Sequence, residues 1–102
     1  MYNPIKKLRA YIRLQKAITK ANNYFEKTRE RQYVLMYGDR LLVTGRSDLK
    51  RWKRKKLVPW GVNVGTMERM CIYHTPYGNG TKPMTKLEGE IRRGLYYKAA
   101  LA

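Results

Sequence analysis

Acidic residues are scarce in this chain. Its 102 residues contain only seven Asp and Glu against 23 Lys and Arg, so the formal net charge is +16 at pH 7. An excess of this size works against the compact state through self-repulsion and is usually matched by a polyanionic partner. The shortage of acids therefore predicts a partner that carries phosphates, and nucleic acid, either DNA or RNA, is the first candidate.

Cysteine and histidine are also rare, with one residue of each, Cys71 and His74. A single Cys excludes an internal disulfide, so we expect a reducing compartment inside a cell. The two residues form a C-x-x-H pair, but a zinc site needs four ligands and no other Cys or His is present. The sequence therefore predicts no metal site and no cofactor.

Carboxylates are too dispersed for a two-metal nuclease, which needs several that converge on its ions. They stand singly along the chain, as Glu26, Glu30, Asp39, Asp48, Glu68, Glu88 and Glu90. We therefore predict no catalytic residue and no enzyme. The enzymatic alternative is a metal-free ribonuclease in which Arg, Lys and Tyr stabilise the transition state and move protons.

Long hydrophobic runs are missing as well. No stretch approaches the ~18 uninterrupted apolar residues of a membrane span, and the N-terminus lacks the apolar segment of a secretory signal. We expect a soluble, unprocessed protein with no membrane partner.

A long helical pattern opens the chain. Asn3 and Pro4 form a preferred helix start, and the periodicity predicts a helix that runs to about Phe25. Apolar residues spaced three and four apart predict a stripe that faces the core: Tyr11, Leu14, Ile18, Ala21 and Phe25, widened by Ile5, Leu8 and Ile12. The same spacing gathers cations on nearly the opposite side, namely Lys6, Arg9, Arg13, Lys16, Lys20 and Lys27. No acid precedes Glu26, so this basic face predicts an external counter-charge.

A β-hairpin follows the helix. Residues 33–37 and 40–44 are rich in β-formers, and only Gly38-Asp39 separates them, which suits a type II′ turn. A two-stranded hairpin is marginal alone, so the first helix or a third strand should cover it.

The densest basic cluster comes next, in a short helix predicted from Leu49 to about Lys56 and capped by Ser47 or Asp48. Its cations are Lys50, Arg51, Lys53, Arg54, Lys55 and Lys56. A cluster of this density suits phosphates, although a solvated surface or a localisation signal is the alternative. Trp52 either anchors this helix to the core, which we favour, or stacks on a base.

The C-terminal third contains patterns for helix, strand and loop. Thr66 predicts a cap for a short helix through Cys71, although residues 70–74 fit a strand equally well. A loop is expected over residues 75–83. Thr85 and Glu88 then form a capping box for a last helix. The apolar face of that helix is predicted to contain Leu87, Ile91, Leu95, Tyr96 and Ala99.

Two segments carry a resemblance to a known group of proteins. They are residues 38–43, Gly-Asp-Arg-Leu-Leu-Val, followed by the aromatic-bearing basic helix, and residues 71–80, Cys-Ile-Tyr-His-Thr-Pro-Tyr-Gly-Asn-Gly. The chain resembles small basic proteins of unknown role that single-stranded DNA phages of gut bacteria encode. The resemblance covers about half of the chain and implies a phage setting, hence the host cytoplasm or the virion as location.

Together these patterns predict one small basic domain, residues 1–102, of the α+β class. We expect a long N-terminal amphipathic helix, a β-hairpin that a third strand can extend, a short basic helix and a C-terminal helix. The predicted function is non-catalytic nucleic-acid binding through both basic helices. The structural alternative is a virion component that lies against the packaged genome and contacts a coat protein. If the two basic helices share one face, they bind a single stretch of polyanion; if they lie on separate faces, they bridge or condense it. The sequence does not decide between these two arrangements, and it does not specify the oligomeric state.

Overall fold

The computed structural model describes residues 4–37, 40–56, 58–76 and 84–101. Its elements, in chain order, are α1 (Pro4–Thr28), β1 (Gln32–Tyr37), β2 (Arg40–Gly45), α2 (Leu49–Arg54), α3 (Val64–Met70), β3 (Tyr73–His74) and α4 (Lys86–Ala100).

The three strands form one antiparallel sheet in the order β2-β1-β3. Val34 of β1 pairs with Val43 on one side and with Tyr73 on the other. Because side chains alternate across a strand, Val34 packs with α1 and α4 on one face, whereas Tyr33 packs with α2 and α3 on the other. The α+β class, the hairpin and its third strand are therefore confirmed, and the predicted turn at Gly38-Asp39 lies outside the described residues.

The core-facing stripe of α1 differs from the predicted one. Its buried residues are Ala10, Leu14, Ala17, Ala21 and Phe25. Bulky members of the predicted stripe are instead between 42% and 64% exposed: Ile5, Leu8, Tyr11 and Ile12. Small side chains let the helix approach its neighbours closely, and the Tyr96 hydroxyl donates a hydrogen bond to the Ala10 carbonyl at 3.2 Å. The prediction is wrong for the four exposed residues because close packing selects the alanines over larger apolar side chains.

α1 runs about one turn further than predicted and ends at Thr28. Arg29 follows with a positive φ of 57°, and its amide donates to the Phe25 carbonyl at 2.7 Å. This left-handed residue closes the helix in the way that a glycine more often does. The predicted cap at Asn3 lies outside the described residues. No helix in the described part of the chain combines the length and apolar character needed to cross a bilayer.

α2 is shorter than predicted and is capped differently. A single 3₁₀ turn, Arg46–Asp48, leads directly into it, and the Asp48 side chain makes no capping hydrogen bond. Ser47 instead donates to the Glu30 carboxylate from its amide at 2.7 Å and from its hydroxyl at 2.8 Å. Asp48 therefore occupies the N-cap position, as one of the two predicted caps, but without a capping bond from its side chain, whereas Ser47 ties the end of β2 to the end of α1. Lys56, with φ of 60°, turns the chain away after α2.

α3 begins before the predicted cap. The Asn63 side chain accepts from the Thr66 amide at 2.9 Å, and the Thr66 hydroxyl accepts from the Asn63 amide at 3.4 Å. This reciprocal capping box makes Asn63 the cap and places Thr66 inside the helix. The helix and the strand that residues 66–74 could form occur in succession, as α3 and β3.

The predicted cap of α4 is confirmed, and most of its predicted apolar face is not. The Thr85 hydroxyl accepts from the Glu88 amide at 3.1 Å. Gly89 and Tyr96 are the buried residues of α4, and the exposed members of the predicted face are Leu87, Ile91, Leu95 and Ala99. Arg92 sets this orientation, because its guanidinium donates to the carbonyls of Glu68 at 3.0 Å and Cys71 at 2.8 Å. These hydrogen bonds hold α4 in an orientation in which its aliphatic residues face the solvent.

Candidate nucleic-acid interface

The predicted basic residues lie on the surface, as a phosphate-binding role requires. The predicted site cations of α1 are all exposed, namely Lys6, Arg9, Arg13, Lys16 and Lys20. Of the predicted site residues after β2, Lys50, Arg51, Arg54, Lys55 and Lys56 are exposed, whereas Lys53 and Trp52 are half-buried. The question that the sequence left open is whether these two sets meet.

The first depression on the surface lies between α1 and the β2 edge of the sheet. Its cations are Arg13, Lys16, Lys20 and Arg40. Its remaining lining residues are Ala17, Leu41 and Val43, which form an apolar floor between the charges.

A second depression continues from the first toward α2. Lys20 and Val43 line both depressions. The second adds Tyr24 and Thr28 of α1, Arg51 and Trp52 of α2, and the polar residues Glu30, Gln32, Ser47 and Asp48. We call the two together the β2 groove, defined by all residues that line either depression: Arg13, Lys16, Ala17, Lys20, Tyr24, Thr28, Glu30, Gln32, Arg40, Leu41, Val43, Ser47, Asp48, Arg51 and Trp52. The groove joins cations of the first basic helix to one cation of the second.

Backbone polarity also favours an open groove along β2. The Ile72 amide donates to the Val34 carbonyl at 2.8 Å, so the backbone of Val34 points toward β3. In an antiparallel ladder its partner Val43 then points its own amide and carbonyl away from β1. The outer edge of β2 therefore presents both backbone donors and backbone acceptors beside the groove.

The charge of the first depression is uncompensated. In the described residues, no carboxylate lies within 4.0 Å of a cationic nitrogen of Arg13, Lys16, Lys20 or Arg40. In the second depression, an Asp48 oxygen lies 3.2 Å from an Arg51 nitrogen, and both side chains are about half exposed. Such an exposed pair contributes little free energy, so a phosphate can compete for Arg51.

Trp52 has the structural role that the sequence favoured. It packs against the cluster that contains Tyr33, Leu49 and Met67, which anchors α2 to the sheet. The Arg51 guanidinium lies 4.8 Å and the Lys55 ammonium 5.5 Å from the centre of the indole ring. Within the part of the chain that the structure describes, the indole Nε1 is buried and has no hydrogen-bond partner. Trp52 thus contacts both cations, of which Arg51 lines the groove.

Sequence analysis missed Arg40 and Tyr24 as members of this surface. Arg40 stands alone at the start of β2, and Tyr24 was not part of either predicted face of α1. Lys20 lies 5.9 Å from the centre of the Tyr24 ring, which is 42% exposed. Neither residue carries a local signal, because only the packing of α1 across the sheet brings them to the groove.

Other predicted site residues lie outside these two depressions. They are Lys6, Arg9, Lys50, Lys53, Arg54, Lys55 and Lys56. Their charges still raise the potential around the groove, because charges on a small protein act beyond contact distance.

A polar cluster lies on the other face of the sheet. Glu68 accepts from the Arg31 guanidinium at 2.9 Å and from the Tyr33 hydroxyl at 2.5 Å, which joins α3 to β1. The Arg31 side chain is only 4% exposed. Burial raises the pKa of the nearby Cys71 thiol to about 11, although the neighbouring Arg92 cation opposes this shift. Cys71 is therefore a protonated, unreactive thiol at neutral pH.

His74 belongs to the same region and is 6% exposed. Burial lowers its pKa, and the hydrogen bond between its Nδ1 and the Thr75 carbonyl, at 3.0 Å, opposes the shift. In the described residues, no three His, Cys, Asp or Glu side chains converge in a way that could hold a metal ion.

No protein-family model, no curated protein and no solved structure matches this chain.

Proposed function

We propose that this protein binds nucleic acid without catalysis, mainly through phosphates, and that the β2 groove is its principal contact surface. The observation that carries the proposal is the shared lining of the groove, where Lys20 of α1 and Arg51 of α2 flank Val43. One surface fits a single polyanion track better than two separate contacts that bridge or condense.

Uncompensated charge supports phosphate as the ligand. Arg13, Lys16, Lys20 and Arg40 have no internal counter-ion in the described residues, so the groove attracts an external one. Each phosphate that such a cation neutralises releases condensed counterions, which favours binding and makes the affinity fall with salt. Five groove cations, including Arg51, give an expected slope of log K against log salt of about −3.5 on a single strand and −4.5 on a duplex.

The remaining basic residues have a supporting role. Lys50, Arg54 and Lys56 are exposed beyond the groove, next to Arg51 in the chain. Charges in this position increase the rate of encounter with a polyanion and add affinity that is screened within about 10 Å at 0.1 M salt. Binding is therefore expected to differ little between unrelated sequences, since phosphate contacts carry no base information.

A salt titration on matched single-stranded DNA, duplex DNA and RNA tests this function. We expect measurable binding at about 0.15 M salt with a steep negative slope on at least one of the three ligands. No binding to any of them at that salt concentration would contradict the proposal. Cleavage of the RNA in EDTA would show that the ribonuclease alternative is correct instead.

A further inference from the structure

α4 carries an aliphatic stripe that the core does not use. Leu87, Ile91 and Leu95 are 67%, 57% and 59% exposed. Residues four apart lie on the same side of a helix, so the three form one continuous stripe. Tyr96 and Gly89 hold the opposite side of α4 in the fold. A contiguous exposed stripe of this kind marks an interaction site more often than chance exposure does.

The charges beside the stripe differ from those of the rest of the surface. Glu88 lies three residues before Ile91 and Lys98 three residues after Leu95, so both are neighbours of the stripe on the helix surface. Arg92 is turned inward onto the carbonyls of Glu68 and Cys71. The border of the stripe therefore carries charges of both signs, in contrast to the all-cationic first depression of the β2 groove.

We propose that this stripe pairs α4 with α4 of a second copy of the chain, in antiparallel orientation. Antiparallel pairing brings Glu88 of each copy toward Lys98 of the other, whereas parallel pairing would oppose Glu with Glu and Lys with Lys. The two contacts are equivalent by two-fold symmetry, which is the commonest arrangement of homodimers.

Gly94 gives the paired helices room to approach. A Cβ atom built on Gly94 meets no heavy atom within 4 Å, so the surface beside it is open. Gly94 lies three residues after Ile91 and therefore next to it on the helix. In the antiparallel pair, Ile91 of each copy fits against Gly94 of the other.

A nucleic acid or an anionic membrane fits this face less well than a second copy does. Glu88 and Glu90 offset the exposed cations Lys86 and Lys98 of α4, so this face attracts phosphates less than the first depression of the β2 groove does. The β2 groove follows one edge strand of the sheet, while α4 packs near β3, the opposite edge. Pairing through α4 therefore leaves both grooves of the dimer open to nucleic acid.

Salt should affect this pairing and nucleic-acid binding with opposite signs. Two copies with a formal charge of +16 each repel one another, and added salt screens that repulsion. Dimerisation should strengthen as salt rises, whereas phosphate binding weakens. This opposite dependence separates the proposed dimer from the proposed nucleic-acid function.

Sedimentation velocity over a range of protein and salt concentrations tests the dimer without nucleic acid. We expect a concentration-dependent shift from monomer to dimer that stops at two copies. The double variant Ile91→Gln, Leu95→Gln should remain monomeric under the same conditions. The matched control Trp60→Gln, Met70→Gln also removes two apolar residues, 69% and 68% exposed, and should dimerise as the natural sequence does.

Charge reversal tests the antiparallel orientation and does not depend on the apolar variants. Glu88→Lys alone and Lys98→Glu alone should each weaken the dimer, and the two changes together should restore it, with helix content checked by circular dichroism. A chain that stays monomeric at every salt and protein concentration would overturn the proposal. So would association that the Ile91, Leu95 variant does not weaken, or a double charge reversal that fails to restore pairing. Vesicles with phosphatidylserine that bind the monomer through Ile91 and Leu95 would identify a membrane partner instead.

Discussion

Lys20 on α1 and Arg51 on α2 line the same depression beside Val43, although the whole hairpin separates them in the sequence. This relationship turns two basic segments into one surface. Because α1 packs beside β2, Lys20 also lines the first depression, together with Arg13 and Arg40. The groove is therefore a product of tertiary packing, and its properties can be tested residue by residue.

Removal of the acid beside Arg51 should strengthen nucleic-acid binding. Asp48→Asn frees the Arg51 guanidinium, which lies 3.2 Å from the carboxylate, and also removes one negative charge from the groove. Because an exposed pair is worth about 0–1 kcal/mol, we expect an affinity gain of up to about fivefold, measured by fluorescence anisotropy. Asp48 makes no capping hydrogen bond, so α2 should keep its start. Glu90→Gln provides the same charge change on α4, and an equal gain there would show that only net charge matters.

The free energy of unfolding should depend on the residues that α1 buries in the structure, not on the exposed residues of its predicted stripe. Leu14 is fully buried, so Leu14→Ala should lower the free energy of unfolding by about 2–5 kcal/mol. Leu8 is 57% exposed, and Leu8→Ala should change it by less than about 0.5 kcal/mol. Urea denaturation of the two variants measures the difference. Similar losses for both residues would mean that α1 packs through its bulkier side chains.

Loss of the Glu68 carboxylate should destabilise the fold more than loss of an exposed one. Glu68→Gln removes the carboxylate charge that accepts from the buried Arg31 guanidinium and weakens the contact with the Tyr33 hydroxyl. Because the Glu68 side chain is 29% exposed, we expect a loss of about 2–3 kcal/mol, less than for a fully buried pair. Thermal unfolding checks this against Glu90→Gln, an exposed acid. Equal effects of the two changes would contradict a stabilising role for the Arg31–Glu68 pair.

Stability should fall as His74 is protonated. Burial lowers the pKa of His74 in the folded protein; Arg31 and Arg92 act in the same direction, and the Thr75 carbonyl and Glu68 oppose them. The unfolded chain then binds a proton more readily, so stability is fully present above the usual His pKa of about 6.5 and is lost as the pH falls below it. The midpoint of urea unfolding should decrease from pH 7.5 to pH 5.5, and His74→Gln should reduce this dependence. An unchanged pH profile in that variant would assign the effect to other groups.

The sequence was sufficient for α1, the hairpin, α2 and α4 because each has a local cause, whereas it left residues 66–74 open between the helix and the strand that both form. Thr85 caps α4 through the Glu88 amide, and the β-formers on both sides of Gly38-Asp39 form the hairpin. The predicted apolar faces of α1 and α4 were largely wrong because side-chain size and polar contacts, not hydrophobicity alone, decide which residues are buried. Ala10 and Ala17 are only weakly apolar, so the hydrophobic pattern does not include them in the core-facing stripe, yet both are buried. Arg92 carries no signal in the sequence that sets it apart from other cations, yet its contacts with the carbonyls of Glu68 and Cys71 help decide which side of α4 faces outward.

The candidate site was predictable in part. The cations of α1 and α2 follow from helical spacing and composition, and the structure places them on the surface. Their meeting at β2, and the inclusion of Arg40, depend on how α1 crosses the sheet, which no local pattern specifies. The phage resemblance and the choice of nucleic acid stay predictions.

Neutralisation of two groove cations, compared with two cations elsewhere, tests the central claim most directly. Arg13→Gln, Lys20→Gln and the control Arg69→Gln, Lys86→Gln remove the same residue types and the same charge, and all four side chains are exposed. We expect the groove variant to reduce the magnitude of the slope of log K against log salt by about 1.4 on a single strand and about 1.8 on a duplex, and the control to change it little. Equal reductions in both variants would mean that net charge alone binds the nucleic acid and that the β2 groove is not the contact surface.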